Sequence, residues 1–206
     1  MNPDIKILFV VCDNIRRTIS RYLHMREVQK KARIRSEIGA TFEEFSLKLE
    51  TAVDNLQAKL PNATIDELVL RMTKRQVPFS ASSSHLDTII SDGFYPVYYS
   101  YWARFFGPGQ LMLVDGTNIV KNPADELIKI QKFLNVDVQV DHSYFVYNPE
   151  KQFYCLRTRC MKSSKGRSRG MQFNEKLHQK LQALYAPFDA IIKVLIVTVH
   201  DISYIL

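Results

Sequence analysis

The residues best suited to chemistry lie between Cys155 and Gly170, where two cysteines precede a short cationic loop. The loop reads Lys165, Gly166, Arg167, Ser168 and Arg169. Small residues let backbone N–H groups approach an anion, and Lys and Arg side chains add charge and forked hydrogen bonds. The composition suits a phosphate- or sulfate-binding loop, although an isolated run of this kind is more often a solvated basic loop.

A second candidate anion site lies near the start of the chain. The apolar run Ile5 to Val11 predicts a strand buried on both faces, as in a parallel sheet. Asp13 and Asn14 then predict a turn and the start of an amphipathic helix, whose first backbone amides and dipole favour an anion. Ser20, one turn into this helix, could place its hydroxyl on a phosphate oxygen; the alternative is an ordinary helix serine.

The same predicted helix and its extension are strongly basic. They are opposed only by Glu27 and Glu37. A solvated helix face and a polyanion-binding surface explain this run about equally well. The basic residues are Arg16, Arg17, Arg21, Arg26, Lys30, Lys31, Arg33 and Arg35.

Bulk properties narrow the class of protein. The 206 residues are enough for one domain with a sizeable core, and 46% hydrophobic and 11% aromatic residues argue against disorder. A net charge of +7 implies an acidic partner such as nucleic acid, an anionic glycan or a membrane surface. We expect no signal peptide and no membrane span, so the chain is soluble as written or lacks its targeting segment.

The cysteines leave two alternatives open. Cys155 and Cys160 are close enough to bridge, which would contribute roughly 2 kcal/mol through chain entropy and leave Cys12 as an odd thiol, buried at a strand end. Alternatively, all three thiols are free in a reducing compartment. The triplet Asn62-Ala63-Thr64 is an N-glycosylation acceptor, a weak indication of a secretory route.

Other patterns predict the elements that position these residues. Capping boxes at Thr41 and Thr64 begin two amphipathic helices, and a Ser-rich loop ends at Ser84. After Gly93 comes an aromatic helix expected to lie mostly in the core, then a buried strand from Gln110 to Val114 and a turn at Asp115-Gly116. We further expect a helix that starts at Asn122-Pro123 and buries one stripe of side chains, namely Leu127, Ile130, Phe133 and Leu134. An edge strand should follow from Tyr144 to Tyr147. The last helix should run from Asn174 to Tyr185 and be stopped by Pro187. Alternating strands and helices indicate an α/β fold with a largely parallel sheet.

The sequence lacks the motifs of several common classes of enzyme and metal-binding protein. The sequence has no GxxxxGK[ST] loop, GxGxxG motif, nucleophile elbow or metal-ligand spacing. We therefore expect no metal. Nor does a nucleic-acid-binding motif occur.

The motifs resemble those of one enzyme family. Asp13, Arg17, Ser20 and Tyr22 after a strand look like the 3′-phosphate-binding segment of carbohydrate sulfotransferases. The block from Gly109 to Val136 is similar to their second strand and following helix. The segment FYCLRTRCMKSSKGRSRG resembles the disulfide and SKGR loop of the heparan sulfate glucosamine sulfotransferases.

This resemblance implies a fold and a reaction. The fold is a three-layer, P-loop-like sulfotransferase fold with a central parallel sheet, here one domain over residues 1–206 with a helical insertion at about 36–90. The reaction is transfer of a sulfuryl group from 3′-phosphoadenosine 5′-phosphosulfate (PAPS) to glucosamine of heparan sulfate in the Golgi lumen. By matched position, Cys12 and Ser20 contact the 3′-phosphate, and Lys165 to Arg169 close over the nucleotide. Lys165 and Arg167 also reach the glycan, and Cys155 pairs with Cys160.

The chain also departs from the family pattern. Cys12 stands where the resemblance implies an arginine, Asn14 replaces a proline, and Arg169 replaces a histidine. The first strand, its phosphosulfate loop and the catalytic glutamate have no counterpart in the sequence, so we expect no catalytic residue in this chain. That pattern predicts a fragment, a truncated product or a degenerate member.

Four functions follow as alternatives. The first is 3-O-sulfation of glucosamine, which the FEEF segment (Phe42 to Phe45) slightly favours; the second is N-sulfation, towards which GQLMLVDG leans. The third is a noncatalytic protein that binds acidic glycan or nucleotide without turnover. Nucleic-acid binding, suggested by charge alone, is the weakest.

Overall fold

The computed structural model describes residues 4–33, 37–60, 62–76, 78–79, 83–107, 109–160 and 170–202, with side chains described as far as residue 196. The strands are β1 (Ile7–Val11), β2 (Leu111–Asp115), β3 (Phe145–Asn148) and β4 (Phe153–Leu156). The α-helices are α1 (Asn14–Ala32), α2 (Phe42–Lys59), α3 (Ile65–Thr73), α4 (His85–Ser91), α5 (Tyr95–Trp102), α6 (Gly116–Lys121), α7 (Pro123–Phe133) and α8 (Glu175–Ile202).

The chain divides into two compact units. The sheet unit comprises Met1–Asp13, Ala103–Arg169 and Leu195–Leu206. The helical unit comprises Asn14–Trp102 and Gly170–Val194.

Strands β1 and β2 of the sheet unit pair in parallel, as the sequence predicts. Their register runs from Ile7 opposite Leu111 to Val11 opposite Asp115. Residues Leu111 to Val114 of β2 are all buried. The expectation that β1 is buried on both faces is wrong, because Leu8 and Val10 are 37% and 52% exposed. Successive side chains of a strand alternate between faces, so one face of β1 stays open within the described part of the chain.

A short helix replaces the turn expected at Asp115 and Gly116. The Asp115 carboxylate accepts hydrogen bonds from the backbone N–H groups of Thr117, at 2.8 Å, and Asn118, at 3.0 Å. Those two groups have no intrahelical partner at a helix start, so the carboxylate caps α6.

Helix α7 begins as predicted, with Pro123 at its start, but it buries a different stripe. The buried residues are Pro123, Ala124 and Glu126. Leu127, Ile130 and Phe133 are only half-buried, and Leu134 is exposed. The periodicity identified the helix correctly, but the buried residues lie in its first turn, where Glu126 accepts a hydrogen bond from Asn118 of α6.

An antiparallel hairpin carries the paired cysteines. Strand β3 confirms the predicted edge strand, and β4 pairs with it from Phe145 opposite Leu156 to Asn148 opposite Phe153. Only Phe153 and Cys155 are buried in β4.

The helical unit has one continuous apolar core. Six helices contribute to this core, namely α1, α2, α3, α4, α5 and α8. It includes a cluster of aromatic rings. Tyr22 stacks on Phe45 with ring centroids 4.5 Å apart, and Phe42 stacks on Phe173 with ring centroids 5.3 Å apart. The fully buried members at 0% exposure are Ile38, Phe45, Leu49, Val53, Val69, Ile90, Phe94, Val97, Leu177 and Leu181.

The helix-start signals were reliable in this unit. Thr41 and Thr64 cap α2 and α3 as predicted, each accepting from the backbone N–H three residues later. Glu67 completes its capping box through the Thr64 N–H, whereas Glu44 accepts instead from the Ala40 N–H at 2.6 Å. Helix α4 was missed, although Ser84 and Asp87 form a full capping box at its start.

The expectation that the aromatic helix lies mostly in the core is wrong. Helix α5 ends at Trp102, which is 40% exposed, and the following Phe105 is 64% exposed. Tyr95 and Tyr98 are half-buried. The core is filled here instead by Phe94, just before α5, and by Val97 within it, both 0% exposed.

Pro187 does not stop the last helix, which continues to Ile202. A proline inside a helix costs about 3 kcal/mol through a lost hydrogen bond and a clash. Tyr185, Phe188 and Ile192 flank Pro187 and are 1%, 8% and 7% exposed, and Phe188 stacks on Phe94 with centroids 4.2 Å apart. Burying each such side chain contributes about 1.5–3 kcal/mol, which offsets the proline.

Candidate functional site

The connection between β1 and α1 is two residues long. Cys12 and Asp13 follow the last residue of β1 and both are exposed, so the prediction of a buried Cys12 is wrong. At the carboxyl ends of the paired strands, the Cys12 thiol lies against Gly116. A Cβ at Gly116 would stand 2.4 Å from the Cys12 Sγ and 2.9 Å from the Val11 carbonyl oxygen. Only a glycine allows this close approach.

The first turn of α1 is anchored by buried polar contacts in the helical unit. Asn14 is 3% exposed and donates from Nδ2 to Asp189 Oδ1 at 2.9 Å. Gly93 packs against it so closely that an added Cβ would lie 2.3 Å from Asn14 Oδ1 and 2.7 Å from the Tyr185 ring. Asn14, which stands where the resemblance implies a proline, is therefore a structural anchor of this turn.

Arg17 extends this anchor to the end of α4. Its guanidinium donates to the Ile89 carbonyl oxygen at 2.7 Å and lies 3.9 Å from the Asp92 carboxylate. Arg21, one turn later, lies 4.0 Å from the same carboxylate. Burial raises the pKa of Asp92, and the charges of Arg17 and Arg21 oppose that rise.

The basic stretch of α1 is consequently less cationic than the sequence predicts. Besides the pairing of Arg17 and Arg21 with Asp92, Lys31 lies 2.9 Å from Glu27. Burial raises the pKa of the Tyr22 hydroxyl, and a hydrogen bond with Arg26 opposes the rise. Arg35 lies outside the described residues. The sequence did not identify Asp92 as the partner of these arginines, because no pattern of residue spacing connects Asp92 to α1.

Ser20 is exposed on α1, and its predicted contact with a phosphate stays a prediction. Asn14, Thr18, Ile19 and Tyr22 form the buried side of the helix. Arg16 lies on the exposed side, four residues before Ser20. The first turn of α1 contains no acidic residue, in contrast to α2, α3, α4, α7 and α8. A guanidinium and a hydroxyl on one helix face can together donate several hydrogen bonds to an oxyanion.

The disulfide between Cys155 and Cys160 is formed. It closes a loop in which the Arg157 backbone N–H donates to the Tyr144 carbonyl at 2.8 Å and the Arg157 Nε donates to the Ser143 carbonyl at 2.7 Å. Residues 161–169 lie outside the described part of the chain. The roles predicted for Lys165, Gly166, Arg167, Ser168 and Arg169 therefore stay predictions.

Asn62 is exposed and has a positive φ of 54° in the turn between α2 and α3. An acceptor asparagine in an exposed turn is accessible to glycosylation, and the modification itself stays a prediction.

A buried carboxylate that the sequence analysis did not identify lies in the sheet unit. Glu126 is 2% exposed and accepts from Asn118 Nδ2 and Lys129 Nζ, each at 2.7 Å. Burial alone would raise the pKa of Glu126, but these two hydrogen bonds outweigh it and hold the pKa below its ordinary value. Because its bonds link α6 to α7, the carboxylate serves the fold.

Among the described residues, no His, Cys, Asp and Glu side chains form a cluster of three or more that could hold a metal ion. Within the same part of the chain, every helix is too short or too polar to cross a bilayer.

A mixed α/β chain with a parallel strand pair, an anchored first turn of α1 and a disulfide hairpin matches the sulfotransferase class. A family model described as the sulfotransferase domain matches residues 1–193. The chain belongs to this family.

Its curated relatives carry more specific names. It is similar to human heparan sulfate glucosamine 3-O-sulfotransferase 3B1, with 27% identity over 99% of this chain and 44% of the relative. It is also similar to the mouse 3-O-sulfotransferase 5, with 24% identity over 92% of this chain and 46% of the relative. A shorter match to mouse 3-O-sulfotransferase 6 has 35% identity over 47% of this chain and 30% of the relative. The chain thus spans less than half of the length of these relatives.

Proposed function

We propose that this chain serves sulfuryl transfer from PAPS to glucosamine residues of heparan sulfate, with 3-O-sulfation as the favoured reaction. The observation that carries the proposal is the family match over residues 1–193, together with relatives that bear the name heparan sulfate glucosamine 3-O-sulfotransferase along nearly the whole chain. These names also favour 3-O-sulfation over N-sulfation.

The chemistry resembles phosphoryl transfer. The bond between sulfur and the phosphate oxygen of the donor breaks, a new bond forms between sulfur and the glucosamine hydroxyl oxygen, and the hydroxyl proton leaves to a base. Negative charge develops on the departing phosphate, so cations and backbone amides stabilise the transition state. No base is proposed within this chain.

Each predicted residue has a proposed part in binding. Ser20 donates its hydroxyl to the 3′-phosphate of the nucleotide. Residues Lys165 to Arg169 donate from backbone amides and cationic side chains to the nucleotide, and Lys165 and Arg167 also contact the acidic glycan. Cys12 contributes no charge at the strand end, and a missing charge-assisted hydrogen bond of this kind weakens binding by about 1.5–3 kcal/mol.

Titration calorimetry with 3′-phosphoadenosine 5′-phosphate, the desulfated donor, tests the nucleotide site. We expect saturable binding to the chain and weaker binding to Ser20→Ala. Thr51→Ala is the matched control, because it also removes an exposed helix hydroxyl, from α2. Equal affinities for wild type and Ser20→Ala would argue against the proposed role of Ser20.

A second assay separates catalysis from binding. Radiolabelled sulfate from PAPS is offered with a heparan acceptor, and the position of any label is read by disaccharide analysis. Cys12, which stands where the resemblance implies an arginine, favours the noncatalytic alternative, and that alternative predicts salt-sensitive heparin retention without label transfer. Label on nitrogen rather than on the 3-oxygen would favour N-sulfation.

The proposed compartment is the Golgi lumen. A formed disulfide is typical of an oxidising compartment, and Asn62 is an exposed acceptor. Expression in a secretory cell line with Asn62→Gln as the comparison tests this: glycosidase treatment should increase the mobility of the wild-type chain only.

A further inference from the structure

We propose that a cavity in the helical unit is an accessory site for a sulfated sugar of an acidic glycan. The cavity has a volume of about 740 Å³ and is lined by the end of α2, the turn that follows it and α3 up to Gln76. The inference rests on the proposed function, because it gives the same class of glycan a second contact. That contact lies in the segment that the resemblance treats as an insertion, to which it assigns no role.

The walls of the cavity are held in place by the packing and the hydrogen bonds of α3. Leu68 and Val69 anchor α3 in the core of the helical unit, with exposures of 1% and 0%. After α3, the backbone N–H of Gln76 donates to the Arg71 carbonyl oxygen at 2.8 Å and turns the chain back beside the helix. Side chains that project from such a fixed frame lose little conformational freedom when a ligand binds.

One face of α3 supplies both charge and apolar surface to the cavity. Glu67, Leu70 and Arg71 all line it, and their spacing of three and four residues places them side by side on the helix. Leu70 is 50% exposed, and Ala63 from the preceding turn extends the apolar wall. Ligand sites typically combine an apolar lining with a few polar groups that fix orientation. The C–H groups on one face of a pyranose ring can pack against this wall.

The charged groups of the lining favour an anion. Glu67 accepts a hydrogen bond from the Thr64 N–H at 2.9 Å in the capping box of α3, so its carboxylate already has a structural partner. Neither Lys59 nor Arg71 forms an ion pair with a carboxylate among the described residues. Arg71 is half-buried, and charged groups withdrawn from water are usually paired. An anionic ligand in the cavity would supply that partner.

A sulfated sugar matches the chemistry of these side chains. The Arg71 guanidinium can donate two parallel hydrogen bonds to sulfate oxygens, and the Lys59 ammonium can donate a third. The Gln76 amide can both donate to and accept from ring hydroxyls. The volume lies within the range of about 300–1,000 Å³ that small-ligand sites occupy. The described lining has no aromatic side chain on which a base could stack, so a sugar suits it better than a nucleotide.

Titration calorimetry with four ligands tests the proposal. The full chain is titrated with a sulfated heparin tetrasaccharide, its unsulfated counterpart, sodium sulfate and 3′-phosphoadenosine 5′-phosphate. The variants are Lys59→Ala, Arg71→Ala, Arg71→Lys and, as the matched control, Lys48→Ala. Lys48 is another exposed cation of α2 and lies about 16 Å before Lys59 along the helix axis, beyond the screening length of about 10 Å in 0.1 M salt. Circular dichroism melting verifies that each variant is folded.

We expect Arg71→Ala to weaken binding of the sulfated tetrasaccharide about tenfold, and Lys59→Ala to weaken it about threefold or more. Arg71→Lys keeps the charge but loses the fork, so its affinity should lie between those of wild type and Arg71→Ala. Lys48→Ala should change the affinity by no more than about twofold. The unsulfated tetrasaccharide and sodium sulfate should each bind more weakly than the sulfated sugar.

Two further readouts locate the site. Nuclear magnetic resonance spectra of the wild-type chain should show that the amide signals of Ala58 and Ala63 shift when the sulfated tetrasaccharide is added, because both residues line the cavity. The affinity for 3′-phosphoadenosine 5′-phosphate should be the same in every variant, which separates the cavity from the proposed nucleotide site.

The inference and the proposed function fail in different ways. Equal affinities of Arg71→Ala, Lys59→Ala and Lys48→Ala for the sulfated tetrasaccharide would overturn the inference, and intact nucleotide binding would leave the proposed function standing. Sodium sulfate that binds as tightly as the tetrasaccharide would also overturn it, since the cavity would then bind a simple anion. If the wild-type chain bound neither the tetrasaccharide nor the nucleotide, the proposed function would fail and the inference with it.

Discussion

The helical unit and the sheet unit bury their apolar residues in different ways. In the helical unit, six helices surround one core whose central side chains have no exposed surface. In the sheet unit, β2 is buried, but β1 exposes Leu8 and Val10, and the hairpin exposes Tyr147 and Val146 at 50% and 48%. The sheet unit therefore relies more on specific links, namely the disulfide, the Asp115 cap and the Glu126 hydrogen bonds.

This difference bears on the candidate site. The face of α1 that carries Arg16 and Ser20 belongs to the helical unit and is supported by its core. One side of α1 packs into the core, and the other side carries the candidate ligand residues. Stability and ligand binding can therefore be varied independently by substitutions on the two sides of α1. Substitutions in the core should lower the free energy of unfolding, whereas substitutions at the exposed face should alter ligand affinity with little effect on stability.

Phe45→Ala should have the largest effect on stability. Phe45 is 0% exposed and stacks on Tyr22 in the ring cluster of the helical unit, so truncation leaves a cavity. We expect a loss of about 3–5 kcal/mol in the free energy of unfolding, measured by urea denaturation. Leu47→Ala, on the same helix but 60% exposed, should lose far less. Equal losses would mean that the helical unit lacks a close-packed core in solution.

Replacing both Cys155 and Cys160 with alanine should have the next largest effect. The disulfide closes a short loop, and its removal gives the unfolded state more conformational entropy. The free energy of unfolding should therefore fall by about 2 kcal/mol. Hydrogen exchange should accelerate in β3 and β4 and stay unchanged in α2 of the helical unit. Accelerated exchange in α2 as well would show that the hairpin supports more than its own unit.

Two carboxylates should give opposite pH dependences. Burial raises the pKa of Asp92 above its ordinary value of 3.8, so the folded state binds more protons there and stability falls as the pH rises above that value. In Glu126 the bonds from Lys129 and Asn118 outweigh burial and lower the pKa below its ordinary value of 4.5. Its contribution to stability is present above 4.5 and is lost as the pH falls through the lowered pKa.

Urea unfolding from about pH 3 to pH 6 measures both slopes. Relative to wild type, Asp92→Asn should become more stable as the pH rises, and Glu126→Gln should become less stable. Slopes of the same sign would contradict the contrast between the two sites.

Local signals predicted β1, β2, β3 and most of the helix starts, but not β4, α4 or α6. Thr41 and Thr64 specify their helices because capping depends on residues three positions apart. Strand β2 was also predictable, since its apolar run is short and is bounded by turn residues. Helix α4 was missed because its Ser84–Asp87 box lies at the end of a Ser-rich stretch that resembles a loop.

Long-range contacts explain the errors. Pro187 is tolerated because Phe94 and the core bury the residues around it, which no local rule shows. The sequence placed Arg17 in a basic helix and in the motif that resembles a 3′-phosphate-binding segment, and it gave no sign that Asp92, at the end of α4, lies 3.9 Å from the Arg17 guanidinium. Ser20 is exposed on α1, and its sequence-based role stays a prediction. Cys12 was wrongly predicted to be buried, because the apolar pattern of a strand does not show whether other residues cover its end.

Val10→Thr should have the smallest effect and tests the open face of β1. Val10 is 52% exposed, and threonine matches its branched shape and strand propensity. We expect a change within about 0.5 kcal/mol in the free energy of unfolding. The matched variant Val53→Thr, at a position with 0% exposure in the helical unit, buries a hydroxyl and should lose more than about 1 kcal/mol. If Val10→Thr lost as much as Val53→Thr, the face of β1 would be covered in solution, and the contrast between the two units would disappear at this strand.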